Sequence, residues 1–331
     1  MDGIKLYNIE DIVKELKERE PLKAAFHSDA DGLASVCLLG SVFKLEESDQ
    51  YPYSPEIFGD YSGSDVALDL GAPVAGEYEG IVIDHHPAHE EPVKYKLAYG
   101  HVPTGVMLFH LFKDMIPDDK VWLVCLSAVG DGQPEVIPPE VWLRSPYLWE
   151  LQGNIYRDQY RNVRMYPYPL FSKLSSPINA MCRMGDVMGA YKILREAKSV
   201  RDIINNPVAG RARKKIDEEI KRVFSSSNPL QIEQIKHVAI VQFESDYYIA
   251  GRIATELSSS EPYITFVVVN TKRREVSIRG ILTTYITERL KVRGYLAGGH
   301  AGYGGVSLLS EEEQPLGMFL NSIREIARTP F

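Results

Sequence analysis

The chain has 331 residues, a length that exceeds one ordinary domain and predicts two buried cores. Apolar residues make up 44% and charged residues 25%, which excludes a disordered or fibrous chain. The net charge of −8 excludes a surface that attracts nucleic acid by bulk charge alone, although cations held in an acidic cleft reverse that sign locally.

Ile9, Ile12, Val13 and Leu16 recur at helical spacing, Leu22–Phe26 is a short apolar run, and Leu33, Val36 and Cys37 resume the helical period after the polar cluster His27–Gly32. The prediction is helix, strand, loop, helix. Val66–Leu70 and Ile81–Ile83 are further strand-like runs, carrying Asp69 and followed by Asp84. Carboxylates at strand ends lie where an open parallel sheet presents its ligand crevice. Thr104–Met115 and Asp119–Val129 are read as helices with Thr104 as an N-cap, the second run being apolar enough for a buried strand as well. Pro138, Pro139, Pro146, Pro167 and Pro169 divide a tyrosine-rich stretch that is expected to be irregular.

Asn179–Arg195 is predicted as one helix and Arg211–Phe224 as a charged amphipathic helix, ending at the boundary signal Ser225–Pro229. Beyond it, Val238–Val241, Ile264–Val269 and Val276–Leu282 are strand-like, Ile249–Leu257 is helical, and Gly298–Gly305 reads as a glycine-rich loop. This is a second α/β unit. Cys37, Cys125 and Cys182 form no CxxC pair and offer neither a disulfide framework nor a cysteine zinc site, so a reducing compartment is expected. With no apolar run of membrane length, and with Asp2, Glu10 and Asp11 near the start, a cytoplasmic location without membrane contact is the expectation.

The segment His27-Ser28-Asp29-Ala30-Asp31-Gly32 concentrates one imidazole and two carboxylates at a strand end. Read as extended chain, it turns His27, Asp29 and Asp31 to the same side. Asp84-His85-His86 adds a carboxylate and two imidazoles at another strand end, and Asp69 and Asp131 stand at comparable junctions. Converging groups of this kind repel or lose hydration unless a cation lies among them, and a mix of imidazole with many carboxylates suits Mn2+ first and Mg2+ next. Asp-x-Asp-Gly alone is ordinarily a turn or cap and His-His alone ordinarily surface, so the weight rests on their joint order with Asp69 between them.

Those motifs, His27–Gly32, then Leu68-Asp69-Leu70-Gly71, Ile81–His86 and Ala128-Val129-Gly130-Asp131-Gly132, resemble the ordered motifs of the DHH phosphoesterase superfamily. The resemblance implies an α/β fold: an N-terminal DHH catalytic domain over residues 1–195 with a mainly parallel sheet flanked by helices, a helical linker over 196–234, and a smaller α/β DHHA1-type substrate-binding domain over 235–331. It implies two divalent cations, preferably Mn2+, with His27 and Asp29 holding one, Asp31, His85 and Asp131 the other, and Asp69 bridging them. Asp84 would orient a ligand histidine and His86 would face the scissile phosphate. Pro177–Asp186, with Asn179 and Arg183, is similar to an element of RecJ-like single-strand nucleases, its plainer reading being a helix start capped by Asn179. Arg279, Gly298, Gly299 and His300 resemble the accessory domain's phosphate contacts.

The resemblance therefore implies a metal-dependent phosphodiesterase releasing nucleotides from single-stranded DNA or RNA or short oligonucleotides. Two alternatives stand beside it: a hydrolase of cyclic dinucleotides or small nucleotide phosphates, as in nanoRNase or pAp-phosphatase enzymes, and a non-catalytic scaffold in a replication or repair complex. A homo-oligomer and a replication or repair partner stay open. Tyr156, Tyr160, Tyr166 and Tyr168, interleaved with Arg157, Arg161 and Arg164, fit a base-stacking platform and a core or interface equally well.

Overall fold

The computed structural model describes residues 5–6, 9–46, 51–53, 63–70, 78, 80–86, 96–145, 168–225, 230–300 and 302–329. It divides into two compact units, the first drawn chiefly from residues up to Arg213 and the second running from Lys214 to the C-terminus.

The short apolar runs of the first unit become β1 (Lys5–Leu6), β2 (Ala24–His27), β3 (Tyr51–Tyr53), β4 (Val66–Leu68), β5 (Ile81–Asp84) and β6 (Lys96–Tyr99). They form one sheet in the order β1-β6-β5-β4-β2-β3, in which β2 to β6 run parallel and β1 is antiparallel to β6. β4 and β5 are buried along their whole length, as the central strands of a parallel sheet covered by helices must be. β2, β4 and β5 are neighbours, so their C-terminal ends bring His27, Asp69 and Asp84 side by side. Helices α1 (Ile9–Glu18), α2 (Ala30–Val42), α3 (Thr104–Phe112), α4 (Trp122–Gly130) and α5 (Pro139–Arg144) accompany this sheet. α2 is buried from Ala30 to Leu39, which is why its apolar residues run all round it with little one-sided pattern.

The first unit departs from expectation at several places, one being α5, a helix inside the proline-divided stretch expected to be irregular. Asp29 is the N-cap of α2, its carboxylate accepting from the Gly32 N–H at 3.0 Å, so the chain turns helical at Ala30 and Asp31 lies in a first helical turn, not on an extended strand. Thr104 is the first residue of α3 and not its cap, which falls on Pro103 without a side-chain bond. Asn179 sits inside a helix, Tyr168–Arg183, that begins well before it and carries Pro177. That helix also stops at Arg183; Gly185 takes φ +83° and Asp186 caps a separate helix, Val187–Glu196. The tyrosine and arginine residues from 156 to 166, and the Ser226–Pro229 boundary, lie outside the described residues.

The second unit holds β7 (Gln231–Ile235), β8 (Val238–Phe243), β9 (Thr265–Asn270), β10 (Glu275–Arg279), β11 (Leu296–His300) and β12 (Tyr303–Ser307) in the order β11-β12-β10-β9-β8-β7. Only β8 and β9 pair in parallel. The glycine-rich stretch is therefore a hairpin, with Gly298 opposite Gly305 and Gly299 opposite Gly304, and not a loop. β7 had no sequence signal, being largely exposed along its length. Helices Ala250–Ser260, Thr283–Val292 and Leu316–Arg328, with the part of helix Pro207–Val223 from Lys214 onward, belong to this unit, and Phe319, Ile323, Ile286 and Leu290 pack with Val267 and Ile278 in its core. No helix among the described residues is long and apolar enough to cross a membrane.

Candidate metal centre

The C-terminal ends of β2, β4 and β5 and the ends of α2 and α4 deliver eight polar side chains to one place. Asp69 is at the middle of it. The residue follows β4 in a left-handed conformation, φ +61°, which aspartate tolerates better than most residues, and its N–H donates to Ile83 O. One carboxylate oxygen, Oδ2, lies 3.5 Å from His27 Nδ1, while Oδ1 lies 3.1 Å from His85 Nε2 and 3.6 Å from His86 Nδ1. The same side chain thus faces two groups of donors.

On one side His27 Nδ1 is 2.9 Å from Asp29 Oδ2. On the other, His85 Nε2 is 2.8 Å from Asp131 Oδ2 and 3.7 Å from Asp31 Oδ2. His27, Asp29 and Asp69 could hold one cation, and so could Asp31, His85 and Asp131, or Asp69, His85 and His86, the donor atoms within each trio lying no more than 4.8 Å apart. Asp131 reaches the cluster as the residue just after α4, and Asp31 from the first turn of α2. Gly32 lets the start of α2 sit on the end of β2: a Cβ there would lie 2.2 Å from His27 O.

Asp84 is fully buried and accepts from the His85 and His86 backbone N–H groups at 2.8 and 3.2 Å. Its ring partner is His86 Nδ1, at 2.8 Å, and not the expected ligand histidine His85. Consecutive residues of an extended segment point to opposite sides, so the aspartate that closes β5 reaches the second histidine after it more readily than the first.

The electrostatics are those of a cluster without enough positive charge. Against the cost of burial, Asp131 and Asp69 hold the His85 imidazole up at about 12, and Asp84 and Asp69 hold His86 up at about 9. Burial likewise opposes charge on His27, but Asp29 and Asp69 still raise it well above the ordinary imidazole range. Burial, then the charges of Asp69 and Asp131, pushes the Asp31 carboxyl upward, and burial does the same to Asp131. Asp29 departs in the other direction; despite its burial, His27 and the Gly32 N–H keep it well below the usual carboxylate range. Imidazolium ions here do what a bound cation would do. Among the described residues, the buried side-chain atoms that make no well-directed hydrogen bond are His27 Nδ1, despite its 2.9 Å ion-pair contact with Asp29 Oδ2, and Asp69 Oδ2, Asn179 Oδ1, Arg279 Nε and Thr104 Oγ1. The first two are a nitrogen and an oxygen of the same donor trio, which fits a cation better than it fits a finished hydrogen-bond network.

The remaining sequence-predicted residues are carried by other elements. Asn179 and Arg183 are one turn apart on helix Tyr168–Arg183. In the second unit Arg279 closes β10, its Nη1 donating to Ile278 O and Gly304 O, with its guanidinium 4.7 Å from the Tyr303 ring centroid. Gly298 and Gly299 are on β11, and the His300 side chain lies outside the described residues. Sequence reasoning missed Ser35, one helical turn after Asp31 and hydrogen-bonded to it, and the Thr104 and Gly105 N–H groups that also meet Asp31. Only Ser35 left a signal, the Asp31-to-Ser35 spacing of a helix face.

Carboxylates and histidines gathered at the strand ends of a mainly parallel sheet, with a second α/β unit following, make this a DHH/RecJ-like fold. Among solved structures, the chain matches RecJ in complex with Mn2+ from Thermus thermophilus with a TM-score of 0.62 and 17% identity, over 97% of this chain and 54% of that one. It thus spans about half the length of that RecJ. It matches exonuclease RecJ bound to manganese with a TM-score of 0.60 and 16% identity, over 98% of this chain and 96% of that one. The DHH domain of a protein described as a member of a ribosomal-protein family matches with a TM-score of 0.62 and 12% identity, over 98% of this chain and 90% of that one. At these identities the likeness carries the fold. No family model and no curated protein matches the sequence.

Proposed function

We propose that the chain is a metal-dependent phosphodiesterase that releases nucleotides from single-stranded DNA or RNA or from short oligonucleotides. The observation that carries this reading is the position of Asp69, with one oxygen toward His27 and the other toward His85, between two donor groups. In this reading His27 and Asp29 would hold one divalent cation and Asp31, His85 and Asp131 a second, with Asp69 shared between the two groups. Bound cations of that kind activate a water and neutralise charge on phosphate oxygens. Asp84 fixes the ring of His86, leaving its Nε2 to face the phosphate. RecJ structures carry Mn2+ in two cases and Mg2+ in a third, which supports a divalent cation here, Mn2+ being preferred for its tolerance of mixed nitrogen and oxygen donors.

Residues 1–195 are the catalytic part and 235–331 the substrate-binding part of this proposal, joined by the helical segment between. Arg279, with a buried Nε still lacking a partner, Gly298, Gly299 and His300 would take a phosphate of the substrate, as would Asn179 and Arg183. The test uses the full chain with Mn2+, with Mg2+ or with EDTA, on DNA and RNA oligomers labelled at either end and on a dinucleotide. Metal-dependent release of nucleotides is expected, falling to background in Asp84→Ala and His85→Ala. Cleavage of the dinucleotide alone moves the substrate to short or cyclic nucleotides. A chain that binds Mn2+ and cleaves nothing in any arm refutes the hydrolase and leaves the scaffold reading.

A further inference from the structure

Asp31 is fully buried, and both its oxygens are engaged. Oδ1 accepts from Ser35 Oγ at 3.2 Å and from Gly105 N at 3.1 Å. Oδ2 accepts from Thr104 N at 2.8 Å and lies 3.7 Å from His85 Nε2. A carboxylate has about four lone-pair directions, two on each oxygen. Those of Oδ1 are filled by the hydroxyl and one amide, and Oδ2 keeps a single free direction, on the side of His85.

We infer that Ser35 is a positioning residue which, together with the first two amides of α3, fixes Asp31 as a ligand through Oδ2 alone. The inference rests on the reading of Asp31 as a metal ligand. The frame is built from three separate helices. Ser35 stands one turn after Asp31 on α2, and the two amides come from the start of α3, 73 and 74 residues along the chain. Ser127, buried on α4, accepts from the same Gly105 N–H at 3.1 Å and so ties the start of α3 to the helix that ends at Asp131. That approach is close enough to demand glycine: a Cβ at Gly105 would stand 2.5 Å from Ser127 Cβ.

Without the Ser35 hydroxyl, Oδ1 keeps one donor in place of two, and only the two α3 amides restrain the carboxylate against rotation about its bond to Cβ. Partners that orient a metal ligand in this way are worth about tenfold to a hundredfold in metal affinity. Alanine is a better helix former than serine and removes no apolar contact, so the fold is retained in Ser35→Ala. The experiment titrates the full-length wild type, Ser35→Ala and Ser35→Thr with Mn2+ alone, by calorimetry and by the electron paramagnetic resonance of the bound ion. In Ser35→Ala one of two bound ions weakens by about tenfold to a hundredfold, the other is unchanged, and the melting temperature in EDTA stays near that of the wild type. Ser35→Thr, which restores the hydroxyl, recovers the affinity. Wild-type affinity for both ions in Ser35→Ala, or equal weakening of both, overturns the inference. A wild-type chain that binds no Mn2+ overturns the metal reading itself, and this inference with it.

Discussion

Asp69→Asn tests the arrangement at its centre. Asparagine keeps the size of the side chain and tolerates the left-handed backbone at this position, so the substitution removes charge and little else. Three imidazole nitrogens lie between 3.1 and 3.6 Å from its oxygens. Unit charges at that range interact by about 5 kcal/mol at an effective dielectric of about 20. Removing one member of a buried charged pair costs about 3 to 5 kcal/mol. A bridging carboxylate should therefore weaken both bound cations when neutralised, by about two to three and a half powers of ten at about 1.4 kcal/mol per decade. The metal-free protein should respond differently. The charge of Asp69 pushes Asp31 and Asp131 upward and supports protonation of His27, His85 and His86, so its loss relieves the carboxyls and weakens the imidazolium pairs, two effects of opposite sign that offset each other. Melting curves with Mn2+ and with EDTA, paired with calorimetric titration, read these effects directly. Wild-type protein in Mn2+ at about a hundred times its dissociation constant gains about 2.7 kcal/mol per ion. At about 2 to 4 °C per kcal/mol that is roughly 5 to 11 °C, and Asp69→Asn should lose most of it while melting near the wild type in EDTA. Unchanged affinity for both ions refutes the shared site, and loss of one ion alone refutes the bridge.

The pH response has a definite sign. His86 is held at about 9 in the folded chain against about 6.5 for a free imidazole, so its contribution to the stability of the metal-free protein is complete below about pH 6.5 and is lost as pH rises through about 9. Melting temperatures in EDTA should fall across that window, and a flat profile would remove the charged histidine cluster from the account. Since cations compete with the protons on His27 and His85 and are repelled by a protonated His86 beside them, Mn2+ affinity should strengthen over the same rise, with protons released in numbers that calorimetry in two buffers can count. Gly32→Ala sets a Cβ against the His27 carbonyl, a rigid neighbour at 2.2 Å, and should cost about 3 kcal/mol or more, roughly 6 to 12 °C in melting temperature. A variant melting within about a degree of the wild type would show that the junction of β2 and α2 yields easily.

Much of the fold was legible because its cues are local. β2, β4 and β5 are apolar runs that stop at polar residues, and β8, β9 and β10 repeat the pattern after the Ser225–Pro229 signal. α3 and α4 follow their apolar spacing to within a few residues. Failures occurred where a local cue serves two structures. Alternation along His27–Asp31 assumed extended chain, yet Asp29 is as good a helix cap as a strand residue, and the cap prevailed. Glycines from Gly298 to Gly305 announce backbone freedom, which a loop and a closely paired hairpin use alike. The run Asn179–Arg195 carries helical spacing through Gly185, but the helix breaks there with φ +83° and a new one starts behind Asp186.

From its residues alone the chain declares an α/β protein whose histidines and carboxylates stand at the ends of successive strands, because strand ends and apolar periods are written in neighbouring residues. Which oxygen of Asp69 meets which histidine, why Asp84 holds His86 and not His85, and how Ser35 and the start of α3 close around Asp31 are decided only in the folded chain. Those contacts join residues up to 74 positions apart, and their geometry depends on strand order and helix approach, for which no local pattern exists.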